Sequence, residues 1–285
     1  MWLGWILTSC VVLALYDLCK KASVKGNSVF PTLFISTLSG FAAVTATLLF
    51  RGGFAAAVDV PKAHVGLLLV KSLIVGASWT STYFALRTLP ITSAAPIRAT
   101  GPLWTLLGAV LLFSEVPTLL QGVGMFLVLV GCWLFSLSAK HEGVNVWRDR
   151  SIFFAFLGAL LGSCSALYDK HLLHEVGIPT GTVLWWFMGG MCVIYGIAAL
   201  IDRKGFEWRW TIPLVGILLA VSDACYFNAV SVPDAKISIL SMVRRTSVVI
   251  VFFVGGAVFH ETNIRRKAFA LAAILAGVIL LCLRN

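Results

Sequence analysis

Ten apolar runs of membrane-spanning length follow one another along the chain, near 2–19, 29–50, 65–88, 92–113, 118–138, 151–173, 180–201, 209–231, 236–259 and 265–283. A helix that crosses the hydrocarbon core needs about 20 such residues. The breaks between runs carry Pro, Gly or charge, as in Lys25-Gly26-Asn27, Arg51-Gly52-Gly53, Leu89-Pro90, Glu115-Val116-Pro117, Gly177-Ile178-Pro179, Val232-Pro233-Asp234 and Glu261-Thr262-Asn263. Residues of this kind end helices and form turns. The pattern predicts an all-α integral membrane protein of ten transmembrane helices. The longest polar stretch, 140–150, is a connecting loop at the middle, between a first five-helix unit (1–139) and a second (151–285).

The two halves resemble each other. Ala14-Leu15-Tyr16-Asp17, near the end of the first span, recurs as Ala166-Leu167-Tyr168-Asp169 near the end of the sixth. Tyr83-Phe84, seven residues before Pro90, recurs as Tyr226-Phe227, seven before Pro233; Arg98, seventeen before Glu115, recurs as Arg244, seventeen before Glu261. Three matches in order on equivalent spans indicate duplication. A repeat with an odd number of spans inserts its two copies upside down relative to each other, the inverted repeat of many secondary transporters. Lys and Arg concentrate in the odd-numbered loops (Lys20, Lys21 and Lys25 in the first; Arg265, Arg266 and Lys267 in the ninth), which by the positive-inside rule would be cytoplasmic, with both termini outside.

Composition narrows the class. Apolar residues make up 59% of 285 positions, charged residues 12%, and mean hydropathy is +0.95. So few charges could not cover the surface of a water-soluble fold of this size. The net charge of +10 does not indicate nucleic acid, because the basic residues lie in loops or singly within apolar runs. The seven cysteines form no metal-ligand spacing and read as small buried hydrophobes. The start of the chain lacks a basic region ahead of its apolar run, so that run is expected to be a retained helix. Enzyme motifs fail in detail: His174-Glu175 and His260-Glu261 lack the second His of a zinc-protease motif, with Ile178 and Ile264 in its place, and there is no P-loop. His171 and His174 alone do not make a metal site, and no cofactor is expected.

The pattern resembles the drug/metabolite transporter superfamily, in particular its ten-helix EamA-type members. The resemblance rests on Ser114-Glu115 and His260-Glu261, each closing the fourth span of its half ahead of a fifth span with glycines (Gly122, Gly124, Gly131; Gly277), and on Tyr83-Phe84-Ala85-Leu86 before Pro90. It implies a cavity lined mainly by spans 1, 3, 4, 6, 8 and 9, with spans 5 and 10 peripheral. It also implies a substrate among amino acids, related metabolites, sugar phosphates or nucleotide sugars. Members are drawn with both termini cytoplasmic, opposite to the charge count here.

Charges inside the spans are the candidate chemistry. An Arg, Lys or Asp at a helix centre costs about 2.5–3.5 kcal/mol on insertion scales, so each must face water, another charge or a ligand. Arg98 and Arg244 occupy equivalent positions, and guanidinium forks suit carboxylate or phosphate. Arg245 adjoins Arg244 about 100° round the helix, and which of the two faces the cavity is open. Binding or gating and a structural Arg–Asp pair are the alternative roles. Asp17 and Asp169 form a second symmetric pair suited to gating or proton coupling, although Lys20 and Lys21 stand at i+3 and i+4 from Asp17. Asp223, whose counterpart is Thr80, is the candidate proton carrier; Lys71, aligned with Leu214, is likewise unmatched, and the two are expected either to pair with each other or to bind the ends of a substrate. Trp79, Tyr83, Tyr226 and Asn228 offer ring faces or hydrogen bonds to a substrate. Trp185-Trp186 fits an interfacial belt or packing, and Glu115 and Glu261 fit helix capping.

These residues point to a secondary active transporter, an exporter or exchanger, of a small polar metabolite bearing a carboxylate or phosphate, such as an amino acid. The expected setting is the bacterial inner (plasma) membrane, with protons as the coupling ion. A lipid-headgroup flippase and a non-transporting scaffold or sensor are the alternatives.

Overall fold

A computed structural model describes residues 2–101, 103–104, 107–108, 118–140, 149–202, 205–230, 244, 246–260 and 264–282. Its helices are α1 (Trp2–Val24), α2 (Val29–Phe50), a short α3 (Phe54–Val58), α4 (Lys62–Thr88), α5 (Ile91–Ala99), α6 (Leu119–Lys140), α7 (Arg150–Lys170), α8 (Thr180–Ile201), α9 (Thr211–Val230), α10 (Ser247–Val258) and α11 (Ile264–Cys282). A π-helical turn, His171–Glu175, extends α7. No strand occurs among the described residues. Each of the ten predicted spans contains one of these helices, and α3 lies in the loop between the second and third. Glu115, Glu261, Arg245 and the first part of the ninth span lie outside the described residues.

One boundary differs in a way that matters. The first helix runs to Val24, so Lys20 and Lys21 are helical and buried and do not belong to the loop. The reason is a buried stripe that continues past Asp17: Tyr16, Lys20 and Val24 recur at every fourth position, and Val24 is fully buried. Lys267, also counted as loop charge, is fully buried. These three lysines therefore do not face the membrane surface.

The protein is inside-out relative to a water-soluble one. Large apolar side chains such as Phe50, Ile201 and Phe269 stand out on the surface, while Asp17, Lys20, Lys21 and Lys71 are buried. Five of the described helices are long and apolar enough to cross a bilayer, and three shorter ones are apolar over 10–17 residues. An apolar exterior this extensive is stable only in lipid.

Helix pairing has the symmetry of the sequence repeat. Exchanging the halves maps the α1–α9 contact onto α7–α4, α2–α9 onto α8–α4, and α1–α10 onto α7–α5; the α2–α8, α5–α10 and α6–α11 contacts map onto themselves. The result is two equivalent three-helix bundles, α1–α2–α9 and α4–α7–α8, with α6 and α11 packed on each other. Small residues bring each bundle together, as in membrane helix packing generally. In the first, Gly40 and Gly216 meet backbone to backbone, and a Cβ on Gly216 would overlap the Ser36 carbonyl oxygen. Ser9 and Ser222 exchange hydrogen bonds to each other's carbonyls at 2.8 and 3.1 Å. In the second, Ser78 donates to the Gly158 carbonyl at 2.8 Å and Tyr195 to that of Gly76 at 2.7 Å. Trp185 packs on Phe41 and Phe54 and donates to Thr45 at 3.1 Å, joining α8 to α2.

Candidate functional site

Among the described residues three ion pairs lie within the spans, and together they contain six of the charged residues singled out by the sequence. Arg98 on α5 bonds Asp17 on α1, Arg244 just ahead of α10 bonds Asp223 on α9, and Lys71 on α4 bonds Asp169 on α7 at 2.5 Å. The helices involved are spans 1, 3, 4, 6, 8 and 9. Asp223 is close enough to Tyr16 and Asp169 to act on both electrostatically, so the pairs share one region. Asp17 is bonded to Arg98, and neither Lys20 nor Lys21 forms an ion pair with it. Lys21 instead donates to the carbonyl oxygens of Leu86, at 2.7 Å, and Leu89, at the end of α4.

The two arginines sit at equivalent breaks in their helices. Arg98 is followed by Thr100, where the α-helical ladder is interrupted, and Thr246 occupies the same turn after Arg244. In both halves the chain closes on a shorter bond, Leu103 N–H to the Thr100 carbonyl and Val249 N–H to that of Thr246, each at 2.9 Å. Such discontinuities near a site free backbone groups and give the side chain room to change direction. The Arg-x-Thr triplet was present in both halves as a sequence signal for this break.

The pairing itself departs from the symmetry. The counterpart of Asp17–Arg98 would be Asp169–Arg244. Instead Asp169 is bonded to Lys71 and Arg244 to Asp223, the two charged residues without a counterpart in the other half. Both arginines are thereby held by carboxylates of the first bundle, while the second bundle neutralises Asp169 internally. Lys71 is 3% exposed and also donates to Ser165, at 2.6 Å to its hydroxyl and 3.1 Å to its carbonyl. Arg244 stacks over Tyr226 with its guanidinium carbon 4.5 Å from the ring centroid, and its Nε is buried with no hydrogen-bond partner among the described residues.

The remaining candidates surround these pairs. Tyr83 is fully buried on α4, and Trp79 packs partly buried against the same cluster. Asn228 is partly exposed on α9, beyond Tyr226. Equivalent tyrosines have equivalent tasks: Tyr83 lies 5.2 Å from the Lys20 ammonium, as Tyr226 lies beneath Arg244. Lys20, Ser165 and Ser222 belong to the site and were not among the sequence candidates; the stripe Tyr16, Lys20, Val24 was the available signal for Lys20. His171 bonds Glu175 on the exposed π-helical turn. Among the described residues no group of three His, Cys, Asp or Glu could hold a metal ion.

Comparison with known proteins accords with this architecture. The model of the EamA-like transporter family matches residues 1–137. No curated protein matches the chain. A solved structure, described only as the crystal structure of a protein, superposes with a TM-score of 0.65 at 15% identity, covering 96% of this chain and 95% of that one. That likeness bears on the fold alone. The first five-helix unit of this multi-pass all-α membrane protein thus matches the EamA-like transporter family, within the drug/metabolite transporter superfamily.

Proposed function

We propose that the chain is a secondary active transporter of a small polar metabolite bearing a carboxylate or phosphate, amino acids and organic acids included. It works by alternating access in the bacterial inner (plasma) membrane, as an exporter or exchanger with protons as the coupling ion. The observation that carries this reading is the one-sided latching of two repeat-equivalent arginines, Arg98 and Arg244, onto the first bundle.

Alternating access needs two arrangements of nearly equal free energy. The pseudo-symmetry supplies the second: Arg244 leaves Asp223 for Asp169, the counterpart of the Asp17–Arg98 pair. The Arg244 Nε supports this: it has no acceptor among the described residues, and a buried donor without one weakens the pair as it stands. The broken backbone at Thr246 gives the side chain its hinge.

The test is uptake into proteoliposomes. Wild-type protein is expected to move at least one carboxylate or phosphate solute saturably. Lys71→Met/Asp169→Asn removes a neutral pair, so it should fold, yet it leaves Arg244 no second carboxylate and should lose transport. A cysteine introduced beside the site should then be labelled from only one face of the membrane. Wild-type flux in the double variant would refute the exchange, and absence of any solute movement by wild type would refute the transporter.

A further inference from the structure

Beside the Asp17–Arg98 pair lies a second buried basic side chain. Lys20 is 3% exposed, one turn beyond Tyr16 on α1. Its ammonium reaches the Tyr16 hydroxyl at 3.3 Å and lies 5.0 and 5.2 Å from the Tyr16 and Tyr83 ring centroids. Among the described residues no Asp or Glu stands within ion-pair distance of it. Burial and Arg98 oppose its charged form while Asp17 favours it, so the set Lys20, Arg98 and Asp17 carries one net positive charge when Lys20 is protonated, as a bound anion would keep it. Placing an ammonium in a protein interior without a counter-charge is strongly unfavourable.

The fold itself does not require a cation there. The repeat-equivalent position in the second half is Leu172, fully buried in an apolar cluster with Leu68, Ile178 and Val183. A second observation points to a missing ligand. The Tyr83 hydroxyl is buried and makes no hydrogen bond among the described residues. Ser36, whose own proton goes to the carbonyls of Thr32 and Leu33, lies beside it as a neutral acceptor beyond full hydrogen-bond distance. The site is also not sealed, because the Arg98 side chain is 30% exposed.

We propose that Lys20, with the Tyr83 and Tyr16 hydroxyls, seats the carboxylate of a singly charged organic anion. One net positive charge matches a monocarboxylate. A phosphate dianion would leave excess negative charge, and a zwitterion would bring an ammonium beside Lys20 and Arg98. The inference rests on the transport reading and sharpens it: the arginines, held by Asp17 and Asp223, gate the site, and Lys20 binds.

The experiment uses the full chain in detergent micelles. Thermal unfolding is followed with acetate, lactate, benzoate and phenylacetate, with acetamide, benzamide and phenylacetamide as uncharged matches, and with phenylalanine and inorganic phosphate. At least one carboxylate should raise the wild-type midpoint while its amide does not. Without ligand, Lys20→Met should unfold at or above the wild-type temperature. Its affinity for the active carboxylate should fall at least about tenfold, with a smaller loss in Tyr83→Phe. Three results overturn the proposal: no carboxylate-dependent stabilisation of wild type, wild-type affinity in Lys20→Met, or a Lys20→Met protein destabilised without ligand. Proteoliposomes separate the two readings. Lys20-dependent binding without flux removes transport and keeps the subsite, whereas undiminished flux in Lys20→Met removes the subsite and keeps transport.

Discussion

The Lys71–Asp169 pair makes a prediction whose sign depends on which partner is removed. Lys71 is 3% exposed and Asp169 is 38% exposed, although they are bonded to each other. Removing one partner of a buried pair leaves the other stranded, at a cost of about 3–5 kcal/mol. Asp169→Asn strands Lys71, whose ammonium keeps both Ser165 acceptors, so the expected loss is about 2–3 kcal/mol. Lys71→Met strands Asp169 instead. That carboxylate reaches solvent, and about 1 kcal/mol or less is lost. The double variant replaces an ion pair by an apolar and a neutral polar group, a change often close to neutral. It should therefore be more stable than Asp169→Asn by about 2–3 kcal/mol. The assay is reversible unfolding in mixed micelles, followed by tryptophan fluorescence. The reasoning fails if Lys71→Met is the more damaging single change, or if the double variant is worse than Asp169→Asn. Either result would mean that Lys71 is held by something other than the carboxylate.

Two other variants test the frame and the gate. Gly216→Ala should destabilise the first bundle by about 1–3 kcal/mol or more, because its Cβ would meet backbone atoms of α2 that cannot rotate away; Gly66→Ala, with nothing within 4 Å of the added Cβ, should be silent in the same unfolding assay. Arg98→Ala and Arg244→Ala should each abolish uptake by proteoliposomes while still eluting as folded protein on size exclusion, and wild-type rates in both would remove the arginines from the mechanism.

The helices were legible in the sequence because lipid makes the signal long and unambiguous: runs of about 20 apolar residues have few other structural explanations. The equivalence of Arg98 with Arg244 and of Asp17 with Asp169 was legible too, since the repeat preserves spacing. Their partners were not. Sequence spacing placed Lys20 and Lys21 within an easy turn of Asp17, and local geometry alone favours that pair. In the folded protein α5 brings Arg98 to Asp17, while Lys21 donates to carbonyls at the end of α4. Contacts between helices are set by packing of bundles, which the linear pattern does not encode. The burial of Lys20 was hidden for a related reason: a lysine just past an apolar run reads as a loop residue unless the stripe through Val24 is followed.

The asymmetry in charge has a consequence for how a duplicated fold becomes a moving one. With two identical halves, Asp17 would hold Arg98 and Asp169 would hold Arg244, and each bundle would keep one arginine with no second place for it to go. Lys71 and Asp223 remove that symmetry at two points. Lys71 neutralises Asp169 and so releases Arg244 from the second bundle; Asp223 gives Arg244 a carboxylate on the first. Asp223 gives Arg244 a second carboxylate besides Asp169, and so two destinations separated by the boundary between bundles. Lys71 decides between them: while it holds Asp169, Arg244 stays on Asp223, and Arg244 reaches Asp169 only by displacing Lys71. A substrate anion on the net-positive Lys20 side would alter that balance through its own charge, which is the coupling of binding to movement that a transporter requires.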